Sequence, residues 1–157
     1  MARFFEVVSK YEGKGINLPK RSTAHSAGYD FECADDVVIP SIWGNKENGK
    51  SHKGTLVSTG VKAKMPSDMF LELYSRSSLF NKKGLILGNS VGVIDSDYYN
   101  NQENEGVIMF NLVNIGFEDV LVKKGEKIGQ GVFHKYYTTD DDESSAVRSG
   151  GFGSTGD

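Results

Sequence analysis

The chain contains little cysteine, histidine and proline, and these shortages limit the sites and structures that it can form. A single cysteine, Cys33, among 157 residues excludes an internal disulfide and a multi-cysteine zinc site. The three histidines, His25, His52 and His134, have no metal-ligand spacing. Only three prolines stand against nineteen glycines, seven tyrosines and nine phenylalanines, which is typical of short strands joined by tight turns. We therefore expect one all-β domain with little helix.

Strong charge and long apolar runs are also missing. The formal net charge is −3, so no global basic field attracts nucleic acid, and phosphate binding must rely on local arginines, lysines and backbone N–H groups. No apolar run reaches membrane-spanning length, and the first residues have no signal-peptide pattern. We expect a soluble, cytoplasmic protein with no nucleic-acid or membrane partner.

One stretch, residues 85–98, organises the rest of the chain. Residues 85–87 and 91–94 have the apolar pattern of short strands, and Gly88, Asn89 and Ser90 between them predict a hairpin turn. A glycine turn leaves backbone groups open to a ligand. Asp95 and Asp97 follow at the end of the second strand, where catalytic groups often collect. The alternative is an ordinary hairpin with solvated acids.

Two further groups suggest binding chemistry. Asp30 lies in AGYDF, where a tight backbone passage presents one carboxylate. From residue type alone, an aspartate that caps its own turn is the favoured interpretation. Arg76 offers a fork of donors for phosphate oxygens, and Ser77 adds a hydroxyl. Alternatively, Ser77 or Ser78 starts a short helix that runs through Lys83.

The remaining pattern predicts strands and two polar segments. Residues 42–53 predict a solvated surface loop, with a partner-binding role as the alternative. Residues 138–145 are acidic and aperiodic, and they predict a linker to a glycine-rich tail. Further strands are predicted at residues 3–8, 36–40, 54–63, 69–74, 107–113, 119–122 and 132–137.

Five segments, in order, resemble the motifs of the homotrimeric dUTP pyrophosphatases (dUTPases), and the resemblance covers residues 27–156. The segments are AGYDF, RSS, LGNSVGVIDSDY, KIGQ and GGFGSTG. The resemblance implies a distorted antiparallel β-barrel or jelly roll of the β-clip type, in a homotrimer with shared active sites. Residues 1–137 would form the β domain and residues 138–157 a linker and lid. The uracil-reading hairpin and the lid of one site would come from different subunits.

The resemblance also implies Mg²⁺-dependent hydrolysis of dUTP to dUMP and pyrophosphate. Asp95 would be the general base, with Gln130 near the α-phosphate and the attacking water. Asp30 would hold Mg²⁺ through water, and Tyr98 would pack against the deoxyribose. The other substrate-binding residues would be Arg76, Ser77 and Ser78 for phosphates, Asn89, Val93 and Ile94 on the uracil hairpin, and Arg148, Phe152, Gly153 and Ser154 in the lid.

The chain departs from the family pattern at several positions. Ser78 replaces a glycine, Lys127 an arginine and Gly129 an alanine, Arg148 lies one residue nearer the lid phenylalanine, and residues 99–106 contain an insertion. Two alternatives stay open. One is a dCTP deaminase of the same fold, which uses a glutamate where this chain has Asp95. The other is a regulatory protein that binds a partner through residues 42–53 or 100–106.

Overall fold

The computed structural model describes residues 2–44, 53–148 and 150–151. These residues form twelve β-strands, one α-helix and short 3₁₀ turns at Ser9–Tyr11 and Ser96–Tyr98. The strands are β1 (Phe4–Val7), β2 (Lys20–Arg21), β3 (Tyr29–Glu32), β4 (Val37–Ile39), β5 (Thr55–Ser58), β6 (Val61–Lys64), β7 (Met69–Tyr74), β8 (Leu85–Leu87), β9 (Gly92–Asp95), β10 (Met109–Asn114), β11 (Val120–Val122) and β12 (Lys127–Lys135). The helix, α1, is Ser77–Lys83. The all-β prediction is confirmed.

The paired strands form antiparallel sheets rather than one closed barrel in the described part of the chain. The largest sheet has the order β2-β3-β12-β7-β9, and a second has the order β5-β10-β8. Two strand pairs, β1-β6 and β11-β4, complete the architecture. β7 lies between β12 and β9 in the largest sheet, so it sets the position of both.

The core lies between the inner faces of these sheets. Alternate residues of β7 and β10 are buried, as expected of strands with one face inward. Phe31 of β3 and Phe110 of β10 meet with ring centroids 5.7 Å apart and are at most 1% exposed. Asn114 is fully buried, but its amide donates to the carbonyls of Ile39 and Glu118, so no hydrogen bond is lost there.

The predicted hairpin is wrong in its strand pairing, although its turn is present. β8 pairs with β10 and β9 pairs with β7, so the turn joins two different sheets. Ser90 has a positive φ of 62°, and its N–H donates to Leu87 O over 3.1 Å. Both strands alternate inward and outward residues, but their buried side chains enter the core from different sheets.

Other strand boundaries also differ from the prediction. Residues 54–63 form two strands because Gly60, with φ 71°, turns the chain between β5 and β6. The last strand starts at Lys127 rather than residue 132, so the KIGQ segment lies within it. The prediction for residues 69–74 is confirmed as β7, and the short helix through Lys83 is present. Most of the predicted loop at residues 42–53 lies outside the described residues.

Gly129 has a steric reason for replacing alanine. A Cβ built on Gly129 would lie 2.0 Å from Cε1 of Phe110, whose side chain is fully buried. The ring cannot move outward, because it also packs on Phe31. The departure from the family pattern therefore belongs to the core.

We predict that Gly129→Ala destabilises the fold by about 1–3 kcal/mol, the usual cost of overpacking a core. The measurement is the midpoint of urea unfolding. The double variant Gly129→Ala with Phe110→Leu should recover part of the loss relative to Phe110→Leu alone, since the smaller side chain makes room. A single variant as stable as the parent protein would contradict this explanation.

Candidate active site

The first group of predicted site residues surrounds Asp30 on β3; we call Ser22, Asp30, Arg76, Lys127 and Gln130 the Asp30 cluster. Asp30 Oδ1 lies 3.2 Å from Arg76 Nε, and Oδ2 accepts from Lys127 Nζ at 2.8 Å and from Ser22 Oγ at 2.9 Å. The Asp30 side chain is only 10% exposed. Two cations therefore share one nearly buried carboxylate.

The environment of Asp30 favours its charged form. Burial raises the pKa of this carboxyl, but the hydrogen bonds from Lys127 and Ser22 and the charge of Arg76 outweigh burial and hold the pKa below its ordinary value. The carboxylate stays ionised at neutral pH, while the Arg76 and Lys127 side chains remain 31% and 42% exposed. An open cavity of about 180 Å³ beside Asp30 is lined by the cations Lys20, Arg21 and Lys127 and by the acid Glu32. This edge of the sheet can bind an anion.

Gln130 lies directly opposite Asp30 across the β3–β12 pair. Its side chain occupies the space over Gly28: a Cβ on Gly28 would lie 2.3 Å from Gln130 Oε1. Gln130 Nε2 donates to Ser75 O over 3.5 Å. The glycine of the AGYDF segment thus makes room for the glutamine of KIGQ, a relation that the sequence does not reveal.

The second group lies around the end of β9; we call Asp95, Asp97, Tyr98 and Arg148 the Asp95 cluster. Arg148 donates to Asp95 Oδ2 through Nη2 and to Asp97 Oδ1 through Nε at 2.7 Å. Burial alone would lower the pKa of Arg148, but the two carboxylates hold it above its ordinary value. Asp95 remains 48% exposed and accessible to solvent. Asp95 is thus a half-exposed carboxylate held in an ion pair with Arg148.

Tyr98 is buried beneath this ion pair. Its hydroxyl donates to Val107 O at 3.2 Å and accepts from Asn104 Nδ2 at 2.8 Å, and the Arg148 guanidinium lies 5.9 Å from the ring centroid. Burial raises the pKa of the Tyr98 phenol, so it stays neutral. These contacts fix the ring in one orientation.

β9 is an edge strand. It pairs with β7 on one side, and no strand pairs with its other side among residues 2–44, 53–148 and 150–151. Val93 is 57% exposed, whereas Ile94 is buried, so Ile94 can offer a ligand only its backbone. The exposed Asn89 lies in the preceding turn. The open strand edge and turn can read the hydrogen-bonding edge of a flat ring.

The register of the sheet separates the two clusters. Gln130 lies opposite Tyr74 of β7, and Asp95 lies opposite Phe70 on the other side of the same strand. These residues face the same side of the sheet. Their Cα atoms are separated by four residues along the strands and by two strand spacings across the sheet, so Asp95 and Gln130 lie roughly 16 Å apart. Asp95 and Gln130 of one chain are therefore too far apart for direct contact.

The other predicted residues have varied positions. Ser77 is exposed and Ser78 half-buried in the first turn of α1, whose N-cap, Arg76, makes no side-chain capping bond. Phe152, Gly153 and Ser154 lie outside the described residues. Sequence reasoning missed Ser22 as a partner of Asp30, and Asn101 and Glu103 as contacts of the tail. The only signal for the last two was the polar insertion.

Two kinds of element are absent from the described part of the chain. No group of three or more histidine, cysteine, aspartate or glutamate side chains there is arranged to hold a metal ion. No helix in residues 2–44, 53–148 and 150–151 is long and apolar enough to cross a membrane.

The fold and the site define an all-β protein that presents cations for an anion, an exposed carboxylate and an open strand edge. The sequence model of the dUTPases matches residues 14–156. Deoxyuridine 5'-triphosphate nucleotidohydrolase of Lactococcus lactis subsp. lactis is 49% identical over 156 residues, 98% of this chain and 97% of the relative. The chain belongs to the dUTPase family.

Solved structures agree with this assignment. A dUTPase from Streptococcus mutans superposes with a TM-score of 0.76 and 43% identity, covering 87% of this chain and 98% of that one. A mutant dUTPase from phage phi11 of S. aureus, described as showing the coordination of a structural Mg(II) ion, has a TM-score of 0.69 and 17% identity over 93% of this chain and 98% of that one. At that identity the second structure supports the fold alone.

We predict that Asp30→Asn destabilises the protein by about 1–3 kcal/mol at pH 7, because it leaves Arg76 and Lys127 without their carboxylate. A carboxyl whose pKa is lowered on folding adds stability above its unfolded value of 3.8 and loses it as pH falls through the folded value. The difference between parent and variant should therefore shrink in unfolding curves below that pH. Asp68→Asn, which removes an exposed pair with Lys135, is the matched control and should cost under about 0.5 kcal/mol. A loss that is the same at pH 3 and pH 7 would contradict the assignment.

Proposed function

We propose that this chain hydrolyses dUTP to dUMP and pyrophosphate, which limits uracil incorporation into DNA and supplies dUMP for dTMP synthesis. The observation that carries the proposal is the near full-length match, 49% identical, to a deoxyuridine 5'-triphosphate nucleotidohydrolase. The geometry supports this proposal in three ways. The cations around Asp30 suit a triphosphate, and the exposed Asp95 suits a hydrolytic reaction. The open edge of β9 suits a nucleotide base.

Recognition of the base and sugar is assigned to β9 and the turn before it. The uracil edge would hydrogen-bond to Asn89 and to backbone groups of Val93 and Ile94, because the outer side of β9 has no strand partner among the described residues. Tyr98, fixed by its hydrogen bonds to Val107 and Asn104, would pack against the deoxyribose and leave no room for a 2′-hydroxyl. Steric exclusion by a rigid ring and backbone rejects ribonucleotides and a 5-methyl base.

Hydrolysis of the triphosphate is assigned to both clusters together. Arg76, Ser77 and Ser78 would neutralise and bind phosphate oxygens. Gln130 would contact the α-phosphate region and help position water. Asp95 would take a proton from that water as it attacks the α-phosphorus, and pyrophosphate would leave. In the lid, Arg148 with Phe152, Gly153 and Ser154 would cover base and phosphates; the last three lie outside the described residues.

Mg²⁺ fits this chain only as an ion held mostly by water and phosphate. Asp30 already accepts from Ser22 and contacts two cations, so it can touch the ion through a water molecule rather than as one of several carboxylate ligands. Mg²⁺ retains several waters and needs few protein ligands, so a single outer carboxylate is sufficient. When bound, the ion would neutralise charge on the triphosphate.

We propose a homotrimer because the two clusters are too far apart in one chain. A complete site would combine the Asp30 cluster of one subunit with Asp95 and Tyr98 of another. The register of β7 supports this arrangement, since Gln130 and Asp95 lie on one face of the sheet but roughly 16 Å apart. Cyclic symmetry would then give three equal sites. The domain division into residues 1–137 and a lid at 138–157 follows the same proposal: no strand or helix is present among the described residues after Lys135.

We predict that pyrophosphate is released from dUTP far faster than from dTTP, dCTP or UTP, and that EDTA suppresses the reaction. Adding dCTP and assaying ammonia tests the deaminase alternative, which requires a glutamate at position 95. Asp95→Asn should lower the rate by about 10²–10⁴-fold, the usual contribution of a general base, while dUTP binding by calorimetry stays near that of the parent.

Asp140→Asn, an exposed linker acid, is the control for that variant and should keep full activity. Near-normal turnover by Asp95→Asn would remove this residue from the mechanism. Ammonia release from dCTP, with no pyrophosphate from dUTP, would replace the proposed reaction. Equal activity on all four nucleotides would refute the assignment of base and sugar recognition.

We also predict that two inactive variants complement each other. Arg76→Ala damages only the Asp30 cluster, and Asp95→Asn damages only the Asp95 cluster. In randomly mixed trimers, roughly a quarter of the sites should combine an intact Asp30 cluster from one chain with an intact Asp95 cluster from another, and these sites should be active. The measurement is dUTP turnover after co-refolding, with each variant alone as the control. Sedimentation that finds an active monomer would contradict the shared site.

A further inference from the structure

Residues 99–106, where the chain departs from the family pattern, fold against the tyrosine that precedes them; we call them the insertion loop. Asn104 Nδ2 donates to the Tyr98 hydroxyl at 2.8 Å, and the N–H of Asn101 donates to the Tyr98 carbonyl at 3.1 Å. The hydroxyl itself donates to Val107 O at 3.2 Å, directly after the loop. Both the side chain and the backbone of Tyr98 are therefore held by the segment that follows it.

The side chain of Asn104 uses both ends of its amide. While Nδ2 donates to Tyr98, Oδ1 accepts the N–H of Gly106 at 2.9 Å. The Tyr98 hydroxyl donates its single proton to Val107 O, so at position 104 it needs a donor. Asparagine provides a donor for Tyr98 and an acceptor for Gly106, whereas an aspartate of the same shape would provide only acceptors.

The insertion loop also packs closely on the backbone of Tyr98. A Cβ on Gly106 would lie 2.2 Å from Tyr98 O and 3.1 Å from the Cα of Tyr99. Gly106 has φ 78°, a conformation that glycine adopts without steric cost. The returning chain can therefore pass directly beside Tyr98, and this close passage brings Asn104 within reach of the hydroxyl.

The insertion loop is anchored to distant parts of the chain. Lys62 of β6, whose side chain is only 12% exposed, donates to Asn100 Oδ1 at 2.6 Å and lies 3.5 Å from Glu105 Oε2. Glu105 also accepts the Ser9 N–H at 3.2 Å. Hydrogen bonds from Ser9 and the charge of Lys62 hold the pKa of Glu105 below its ordinary value, so the carboxylate stays charged at neutral pH. The backbone that carries Asn104 is thus fixed at both ends of the loop.

We propose that Asn104 is a positioning residue for sugar selection, because it holds the Tyr98 ring where the ring excludes a 2′-hydroxyl. This role rests on the proposed function, in which Tyr98 packs against the deoxyribose. Asn104 acts through Tyr98 and not on the nucleotide itself. Loss of its donor removes one of the hydrogen bonds that fix the hydroxyl, so the ring can tilt and a ribose fits at a lower cost.

The substrate selectivity of an isosteric variant tests this role. Asn104→Asp keeps the oxygen that accepts the Gly106 N–H but replaces the donor to Tyr98 with a carboxylate oxygen. The ratio of kcat/KM for dUTP to kcat/KM for UTP should fall about three- to tenfold, the effect of losing one hydrogen bond. A variant that is only less stable lowers both kcat/KM values by the same factor and leaves the ratio unchanged. Gln102→Ala, an exposed neighbour in the same loop, is the matched control and should keep the parent ratio.

A second variant separates the hydrogen bond from the added charge. Asn104→Ala removes the donor without introducing a carboxylate, and it should lower the dUTP to UTP ratio in the same range. A parent ratio in both Asn104 variants would overturn the proposal. A fall in Asn104→Asp alone would assign the effect to the new charge and would overturn it as well.

A spectroscopic measurement tests the contact without activity as the readout. The full-length, nucleotide-free protein is labelled with ¹³C at tyrosine Cζ, the ring carbon that bears the hydroxyl, and the Tyr98 resonance is identified by its loss in Tyr98→Phe. This resonance should move in both Asn104 variants, because the hydroxyl loses a donor, and should stay in place in Gln102→Ala. A Tyr98 resonance that is unmoved in both Asn104 variants would show that Asn104 does not hold the ring.

The two measurements separate this role from the proposed function. A parent protein that hydrolyses no dUTP, or that hydrolyses UTP equally well, refutes the proposed function, and sugar selection by Asn104 fails with it. A parent that prefers dUTP, with Asn104 variants that keep the same preference, overturns the role of Asn104 alone. A lower ratio together with a moved Tyr98 resonance supports the proposal.

Discussion

The hydrogen-bonded register of β7 is the constraint on which the rest of the site depends. β12 pairs on one side of this strand and β9 on the other, so Gln130 is fixed opposite Tyr74 and Asp95 opposite Phe70. A slip of one residue would turn every side chain of β7 to the opposite face, and the buried Met69, Leu71 and Leu73 prevent it. The same apolar residues that fill the core therefore set the distance between Asp95 and Gln130.

The Asp30 cluster and the Asp95 cluster both hold their charges as ion pairs. Asp30 is paired with Arg76 and Lys127, and Asp95 and Asp97 share Arg148. A triphosphate would compete with Asp30 for Arg76, because the guanidinium donors suit phosphate as well as carboxylate. Phosphate binding there would replace the contact between Asp30 and Arg76, and Asp30 would keep its contact with Lys127.

The sequence predicted the chemistry of this chain better than it predicted which strands pair and which side chains are in contact. Residues 69–74 alternate cleanly, and the alternation identified β7 to the residue. The same local pattern identified β8 and β9 as strands but not their partners, since periodicity carries no information about which sheet a strand joins. Asp30 and Arg76 were chosen for their residue types, whereas their contact depends on the path of α1 and β3. The contacts of Gly150 and Gly151 with Asn101 and Glu103 could not be predicted from the sequence. The composition of residues 150–156 predicts disorder and carries no signal for the loop that they contact.

The contact between Gly129 and Phe110 constrains how this sequence can evolve. An alanine at position 129 and a phenylalanine at position 110 fit together only at a cost in stability, since the built Cβ would lie 2.0 Å from Cε1 of the ring. A change from Gly129 to alanine is therefore least costly after Phe110 has been replaced by a smaller residue. In the reverse order, the intermediate protein is strained. A transplanted KIGQ-equivalent segment with alanine at position 129 would thus lower the stability of this chain for a reason that lies in the core and not in catalysis.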